Sequence, residues 1–375
     1  MASSVNQALW LSSYTEPLSL KDLPIPAAAV GSVVVRVLAA PIVPYAGLVH
    51  SGKIPGLDLE LPLVPNPNAV GRIYAVGPDA VMVKPGDLVY VDSTVRARDD
   101  PNVVIMSGHL NGAGAEGKKL MQGEWRDGSF QQYLKVPLEN VHILDDQRLI
   151  EELGYSPAVL QSIAHYSVAG GAIMEVADVK VAETVVVGPS GGSFGGLAVE
   201  MALALGANVI ALGRYEEKLA KMKKILGHPR LDYVVMTGDD DADAEAILRA
   251  TPNGAGADVY SDWTPAGLEK APYLAAAVRT LKRGGRVVLS GGSLGHVEIP
   301  YTLMLLKDLK VTGKLMCSRE TLCRLIRMVE RGQLKIGVES GTEVSVFTLD
   351  QHVKAIEHAA EHGGWRNYTV MAPNP

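Results

Sequence analysis

The chain is predicted to be an α/β protein of two domains: a β-barrel-like domain and a doubly wound parallel sheet. Three observations predict this. The first 150 residues carry short apolar runs punctuated by Gly/Pro turns. Beyond about residue 151, strand-like and helix-like patterns alternate. Within that second part, the run from Thr184 to Lys218 reads as strand, glycine-rich turn, helix and strand.

The elements follow in order. Val33 to Ala39 reads as a strand, and Gly71 to Val76 as another that ends in a turn at Gly77-Pro78. Pro85-Gly86-Asp87 turns the chain into a strand at Leu88 to Val91, and Gly128 to Val136 supplies one more. Short strands spaced by such turns suggest a barrel. The polar, glycine-rich stretch from Arg96 to Asp127 reads as a loop insertion. Tyr155 to Val176 reads as a helix with a glycine pair inside. Thr184 to Val187 is β-branched and apolar, as a buried parallel strand should be. Leu197 to Leu205 is an alanine-rich helix that Gly206 can cap, and Asn208 to Leu212 is the next strand. Helices at Tyr215 to Leu226, Asp243 to Ala250 and Gly267 to Leu281 then alternate with strands at Leu231 to Met236, Ala257 to Ser261 and Arg286 to Ser290. The tail carries a helix (Ser318 to Arg331), a strand (Val344 to Phe347), a helix (Leu349 to His362) and a last strand (Asn367 to Met371). It is expected to return to the first domain, so one domain spans 1–150 with 318–375, and the other spans 151–317.

The glycine turn points to a dinucleotide. Gly188, Ser190, Gly191, Gly192, Ser193, Phe194 and Gly195 lie between a strand and a helix. Glycines there let the backbone approach a pyrophosphate, and the helix N-terminus offers free N–H groups. The usual Gly-x-Gly-x-x-Gly spacing is absent, so the position of the turn carries the reading. An NAD site places Asp or Glu at the end of the second strand. Here that strand runs into Gly213-Arg214-Tyr215, with Lys218 one turn on. Arg214 can grip a 2′-phosphate with a planar fork and Lys218 can add a point charge, which selects NADPH. Ser290 and Gly291, at the end of a later strand, complete the expected cofactor contacts.

Composition bounds the class. The chain has 375 residues, 47% hydrophobic, and a net charge of −6, which gives no indication of a nucleic-acid or anionic-membrane partner. Its apolar stretches are interrupted, so no transmembrane helix is expected. The first residues, MASSVNQALWLSSY, lack a basic region followed by an apolar core. Two cysteines, Cys317 and Cys323, fit a reducing compartment, and a cytoplasmic location is expected.

Several motifs together resemble the medium-chain dehydrogenase/reductase superfamily. They are Pro85-Gly86-Asp87-Leu88-Val89, the segment Asp127-Gly128-Ser129-Phe130 to Leu134, the glycine turn, Leu205-Gly206-Ala207, and Leu281 to Val288. The resemblance spans essentially the whole chain and implies a GroES-like catalytic domain with a Rossmann cofactor domain. Zinc-dependent members place a Cys ligand at the position of Val43 and a Gly-His-Glu motif at Asn66-Pro67-Asn68. Their structural zinc loop corresponds to 96–127, which has no Cys. Zinc needs Cys, His or carboxylate donors, so no bound zinc is expected. The Ala40-Pro41-Ile42-Val43-Pro44 stretch is closer to the zinc-free quinone and enoyl reductases. Their Asn is Val43 here, and the tyrosine some enoyl reductases carry is Ile54.

Without a metal to polarise a carbonyl, hydride addition to a conjugated C=C is the easier reaction, because charge spreads into an enolate that hydrogen bonds can hold. The expected activity is NADPH-dependent reduction of an enone, quinone or enoyl thioester. A metal-free carbonyl reductase or alcohol dehydrogenase, and a non-catalytic NADPH-binding protein, are the alternatives. Tyr45 takes the position at which the resemblance puts a proton-relay Ser/Thr, and its phenol can hold and protonate a carbonyl oxygen. His50 is a second candidate, although a lone loop histidine is more often structural. Ser167 is a further candidate for cofactor or substrate contact. His352, His358 and His362 read as a solvated helix face, Asp239 to Asp243 as a loop and N-cap, and the cysteines as core residues. The resemblance also implies a homodimer formed through a strand edge at His296 to Tyr301.

Overall fold

The computed structural model describes residues 5–112 and 114–375. The first four residues of the N-terminal reading, and Ala113 within the expected loop insertion, lie outside the described residues.

The chain opens with β1 (Val5–Trp10), β2 (Ser19–Pro24), β3 (Ser32–Ile42), α1 (Ala46–His50), β4 (Ala69–Val76) and β5 (Leu88–Val91). Next come β6 (Thr94–Arg96), β7 (Val104–Met106), α2 (Ala115–Gln122), β8 (Tyr133–Pro137) and β9 (Val141–Ile143). The second unit begins with α3 (Pro157–Leu160), α4 (Ile163–Gly170), β10 (Thr184–Gly188), α5 (Gly195–Ala204), β11 (Asn208–Gly213) and α6 (Glu216–Leu226). It continues with β12 (Leu231–Val235), α7 (Asp240–Ala250), β13 (Ala257–Asp262), α8 (Leu274–Arg279), β14 (Leu281–Leu289), α9 (Tyr301–Lys307) and β15 (Lys310–Gly313). The chain closes with α10 (Arg319–Glu330), β16 (Glu343–Phe347), α11 (His352–His362) and β17 (Asn367–Met371).

The six-stranded sheet runs β12-β11-β10-β13-β14-β15, with every pair parallel. Val186 of β10 lies opposite Ile210 and Tyr260, so the β-branched strand is central and buried on both faces. Strand order reverses between β10 and β13, which opens a crevice at the C-terminal ends of these strands. The other large sheet runs β16-β17-β3-β4-β5-β9, with β8 also on β3. β17 pairs with Ala40, Pro41 and Ile42 of β3, so the tail does rejoin the first sheet. One hydrophobic cluster passes from Leu88 and Tyr90 of that sheet to Val185 and Leu197, so the two units share packing.

Several elements differ from the sequence reading. The 96–127 stretch is not merely loop: it holds the β6–β7 hairpin and α2. Helix α8 starts only at Leu274, because Pro272 lacks the N–H a longer helix needs and Gly267 takes φ +92°. The helical stretch from Tyr155 breaks into α3, α4 and a wider turn at Gly171–Val176. His296 to Tyr301 is not a strand; the edge of the sheet is β15, and Tyr301 begins α9. The α11 histidines are not a plain solvated face. His352 bonds the carbonyls of Leu349 and Leu18, and His358 bonds Thr369 Oγ1. Asp239 does cap α7, accepting from the N–H groups of Asp241 and Ala242.

Candidate active site

The glycine turn leaves β10 at Gly188 and enters α5 at Gly195. Ser190 is buried, and both its N–H (2.9 Å) and its Oγ (3.0 Å) donate to the Leu212 carbonyl. Its side chain therefore ties the turn to β11. A Cβ on Gly195 would lie 2.0 Å from the Pro189 carbonyl oxygen, so only glycine allows the helix to start that close to the strand. Gly192 has open space where a side chain would stand. None of the amides of Gly191, Gly192, Ser193, Phe194 and Gly195 finds a protein acceptor among the described residues. Unpaired donors around an open cradle at a helix N-terminus fit a pyrophosphate. Ser193 uses its hydroxyl on the Gly364 carbonyl at 3.3 Å, and the Phe194 ring stacks between His165 and Trp263.

Beside the cradle, Gly213 ends β11 and packs under Leu219. Arg214, Tyr215 and Lys218 follow on the exposed surface. The Arg214 guanidinium sits 5.6 Å and the Lys218 ammonium 5.3 Å from the Tyr215 ring centroid. Neither cation has a carboxylate within 4.0 Å among the described residues. At the neighbouring strand ends, the Ser290 N–H donates to the Asp262 carbonyl at 3.1 Å, while its buried Oγ has no partner among the described residues. Gly291 packs against the Thr264 backbone, where a Cβ would stand 2.5 Å from the carbonyl oxygen. The cofactor candidates thus gather at one edge of the parallel sheet. The backbone and the Arg214–Lys218 pair present the donors; the hydroxyls of Ser190 and Ser193 are committed to protein.

The turn from Val43 to Tyr45 joins β3 to α1. The Tyr45 hydroxyl has no protein partner among the described residues, and burial of the residue pushes its pKa up to about 12. Its ring lies 6.3 Å from that of His109. His109 stands on the turn between Met106 and Leu110, and burial pushes its pKa down to about 4. His50, at the end of α1, is also pushed down to about 4 by burial, with the nearby His109 adding to the effect. It meets Phe130 edge-on, and its Nδ1 is buried without a partner among the described residues. The structure therefore brings Tyr45, His50 and His109 together. His109 is the member that sequence reasoning missed, because a lone histidine in a glycine-rich loop carries no spacing signal. Ser167 donates within its own helix to the Ala164 carbonyl at 2.8 Å.

The donor set does not fit zinc. Val43 supplies no ligand atom, and Pro67 stands between two committed amides. Asn66 Nδ2 donates to Ser129 Oγ, and Asn68 Nδ2 to the Tyr90 hydroxyl, both at 2.8 Å. Among the described residues no three His, Cys, Asp or Glu side chains converge as ligands. Cys317 is buried, which raises its thiol pKa, and Cys323 Sγ lies 3.6 Å from His142 Nδ1.

A strap from the C-terminal tail closes over the glycine turn, which the sequence reading also missed. The Trp365 N–H donates to the Gly191 carbonyl at 3.3 Å, and its indole lies against Gly196. Arg366 forms a buried ion pair with Glu200 of α5, each side chain only 4% exposed, and the Tyr166 hydroxyl donates to the same carboxylate at 2.8 Å.

Comparison with known proteins agrees with this architecture. Residues 29–146 match the family model "Alcohol dehydrogenase GroES-like domain", and residues 194–331 match "Zinc-binding dehydrogenase". The chain is 26% identical over 338 residues to an alcohol dehydrogenase of Geobacillus stearothermophilus, covering 89% of this chain and 91% of that one. It is 24% identical over 338 residues to an NAD-dependent alcohol dehydrogenase of Sulfurisphaera tokodaii, covering 88% and 90%. Among solved structures, a putative zinc-binding dehydrogenase from Sinorhizobium meliloti 1021 bound to NADP superposes with a TM-score of 0.76 at 19% identity, over 99% of this chain and 100% of that one. With its GroES-like and parallel-sheet units matched along most of its length, the chain belongs to the medium-chain dehydrogenase/reductase superfamily of oxidoreductases.

Proposed function

We propose that this oxidoreductase is an NADPH-dependent, zinc-independent reductase of an activated C=C bond, in an enone, quinone or enoyl thioester. The observation that carries the reading is the Tyr45 hydroxyl, which has no protein partner among the described residues and stands beside His109, in a site where the resemblance puts Val43 and Pro67 at the metal-donor positions. NADPH is favoured over NADH by Arg214 and Lys218, which have no carboxylate partner among the described residues and stand next to the open cradle. When bound, the nicotinamide supplies a hydride.

The residues of the chain do the rest. As the β-carbon gains hydride, charge moves to the carbonyl oxygen. Tyr45 keeps its proton at neutral pH and donates a hydrogen bond to that oxygen. His109 and His50 are uncharged at neutral pH, so they do not stabilise the enolate as cations. Their neutral rings can hand a solvent proton toward the α-carbon.

A carbonyl reductase or alcohol dehydrogenase is the second reading, favoured by the alcohol dehydrogenase names of the relatives. There Tyr45 would protonate the forming alkoxide. The protein is also proposed to form a homodimer through the β15 edge. All four β15 residues are exposed, and Tyr301, Leu305 and Leu306 of the adjoining α9 are 81%, 64% and 66% exposed.

The test is NADPH consumption by chelator-treated protein, with product analysis, on an enone and its saturated ketone. Saturation of the C=C with the carbonyl intact supports the first reading. Reduction of the saturated ketone alone supports the second. NADPH binding without turnover of either points to a specialised substrate or to a non-catalytic binding protein.

A further inference from the structure

A cavity of about 700 Å³ opens where the two units meet. Its walls come from three places that bear on the chemistry. Gly56 and Asp58 belong to the loop after the helix that Tyr45 and His50 flank. Met106 and Leu110 are the two ends of the turn that carries His109. Leu315 and Met316 follow β15 of the parallel sheet. A molecule whose reacting end lies beside Tyr45 and His109 would extend the rest of itself into this space.

The charges lining the cavity are Arg96 at the end of β6, Lys118 on α2, and Asp58. Two cations face one anion, on a protein whose net charge is −6. Both cations are exposed, and neither side chain has a hydrogen-bond or ion-pair partner among the described residues. The buried Asp92 also feels the charge of Arg96, and its carboxylate accepts from the Thr94 N–H at 3.0 Å. By contrast, Arg98 is paired with Glu139, Arg126 with Asp127, Lys135 with Glu124 and Lys314 with Glu175.

We propose that Arg96 and Lys118 form an anion subsite, and that the substrate carries a carboxylate or phosphate remote from its reacting bond. The subsite deepens the reductase reading and rests on it for the placement of the reacting end. Arg96 offers a planar fork and Lys118 a mobile point charge, the pairing that suits either anion. The neutral amides of Asn102 and Asn111 lie in the same wall.

The test titrates the full-length protein calorimetrically with two matched pairs: glutarate against dimethyl glutarate, and phosphopantetheine against pantetheine. The wild type should prefer the charged member of at least one pair by roughly tenfold. The pair that shows the preference identifies the source, carboxylate or phosphate. Lys118→Gln and Arg96→Gln should each reduce that preference. Lys118→Gln is the cleaner variant, because Arg96→Gln also removes the cation near Asp92. Equal binding of charged and neutral members, or a preference unchanged in Lys118→Gln, overturns the subsite. A parallel assay with NADPH compares 7-oxooct-5-enoate, an enone whose carboxylate is separated from the C=C by methylene groups, with its methyl ester. Charge-dependent binding without turnover of either keeps the subsite and removes the reductase reading. Turnover of both with equal KM keeps the reductase and removes the subsite.

Discussion

The indole N–H of Trp365 donates to the Glu200 carboxylate at 2.6 Å, which joins the last turn before β17 to the helix that begins at the glycine cradle. Arg366 holds the same carboxylate through two nitrogens, at 2.9 and 2.6 Å. Desolvating an ion pair costs several kcal/mol, and here the return comes from four donors that Trp365, Arg366 and Tyr166 together aim at one carboxylate, rather than from charge alone. The consequence is mechanical. The turn that would receive the cofactor is bonded on one side to the segment that re-enters the other sheet.

Removing the charge at Glu200 should therefore be severe. Glu200→Gln leaves Arg366 buried without a counter-charge and is expected to destabilise the fold by about 3–5 kcal/mol. Urea denaturation gives the value. Trp365→Phe keeps the ion pair, loses one bond to a charged group, and should cost about 1.5–3 kcal/mol while weakening NADPH binding.

Arg214 is expected to set cofactor choice. Arg214→Ser should raise the KM for NADPH by roughly tenfold and leave that for NADH nearly unchanged. Equal loss with both cofactors would mean that Arg214 supports the turn rather than the 2′-phosphate.

Tyr45→Phe deletes the hydroxyl and little else, since that hydroxyl has no protein partner among the described residues. Loss of one donor to a developing oxyanion corresponds to a fall in kcat of roughly 10²–10³-fold. NADPH affinity, read by fluorescence titration, should not change. A drop in affinity with kcat retained would make Tyr45 a packing residue.

Acid should unfold the protein through its histidines. His50, His109, His142 and His165 are each pushed down by burial, to about 4. Their folded values lie below the unfolded value of about 6.5, so between these limits the unfolded chain binds more protons. Stability is full above about pH 6.5, falls as the pH drops toward 4, and levels off below that. Thermal melts across this range, in wild type and His109→Gln, should show a shallower decline in the variant.

The proposed dimer edge is tested by Leu305→Glu. Charge on the exposed α9 face should shift the mass measured by sedimentation toward the monomer while the melting temperature of the monomer stays close to that of the wild type.

Local pattern carried the parallel sheet. Thr184 to Gly188 and Asn208 to Gly213 are runs of β-branched and apolar residues bounded by glycine, and each motif is complete within a few positions. The β1–β2 hairpin escaped sequence reading because all six residues of β2 are at least partly exposed and lack a clean alternation. β15 escaped for the same reason, being exposed throughout. The helix expected over Gly267 to Leu281 forms only from Leu274, because Pro272 ends the helical option locally.

The sequence by itself determined the fold class, the dinucleotide-type turn and the cationic pair at Arg214 and Lys218. Each of these depends on residue type at short spacing, where backbone geometry leaves few alternatives. Tertiary structure alone decided that His109 meets Tyr45 across more than sixty positions, and that Glu200 pairs with Arg366 across 166. It also turned Ser190 and Ser193 toward protein carbonyls instead of the cradle. Such contacts depend on how distant segments are brought together by burial of the shared core, and no local periodicity encodes that packing.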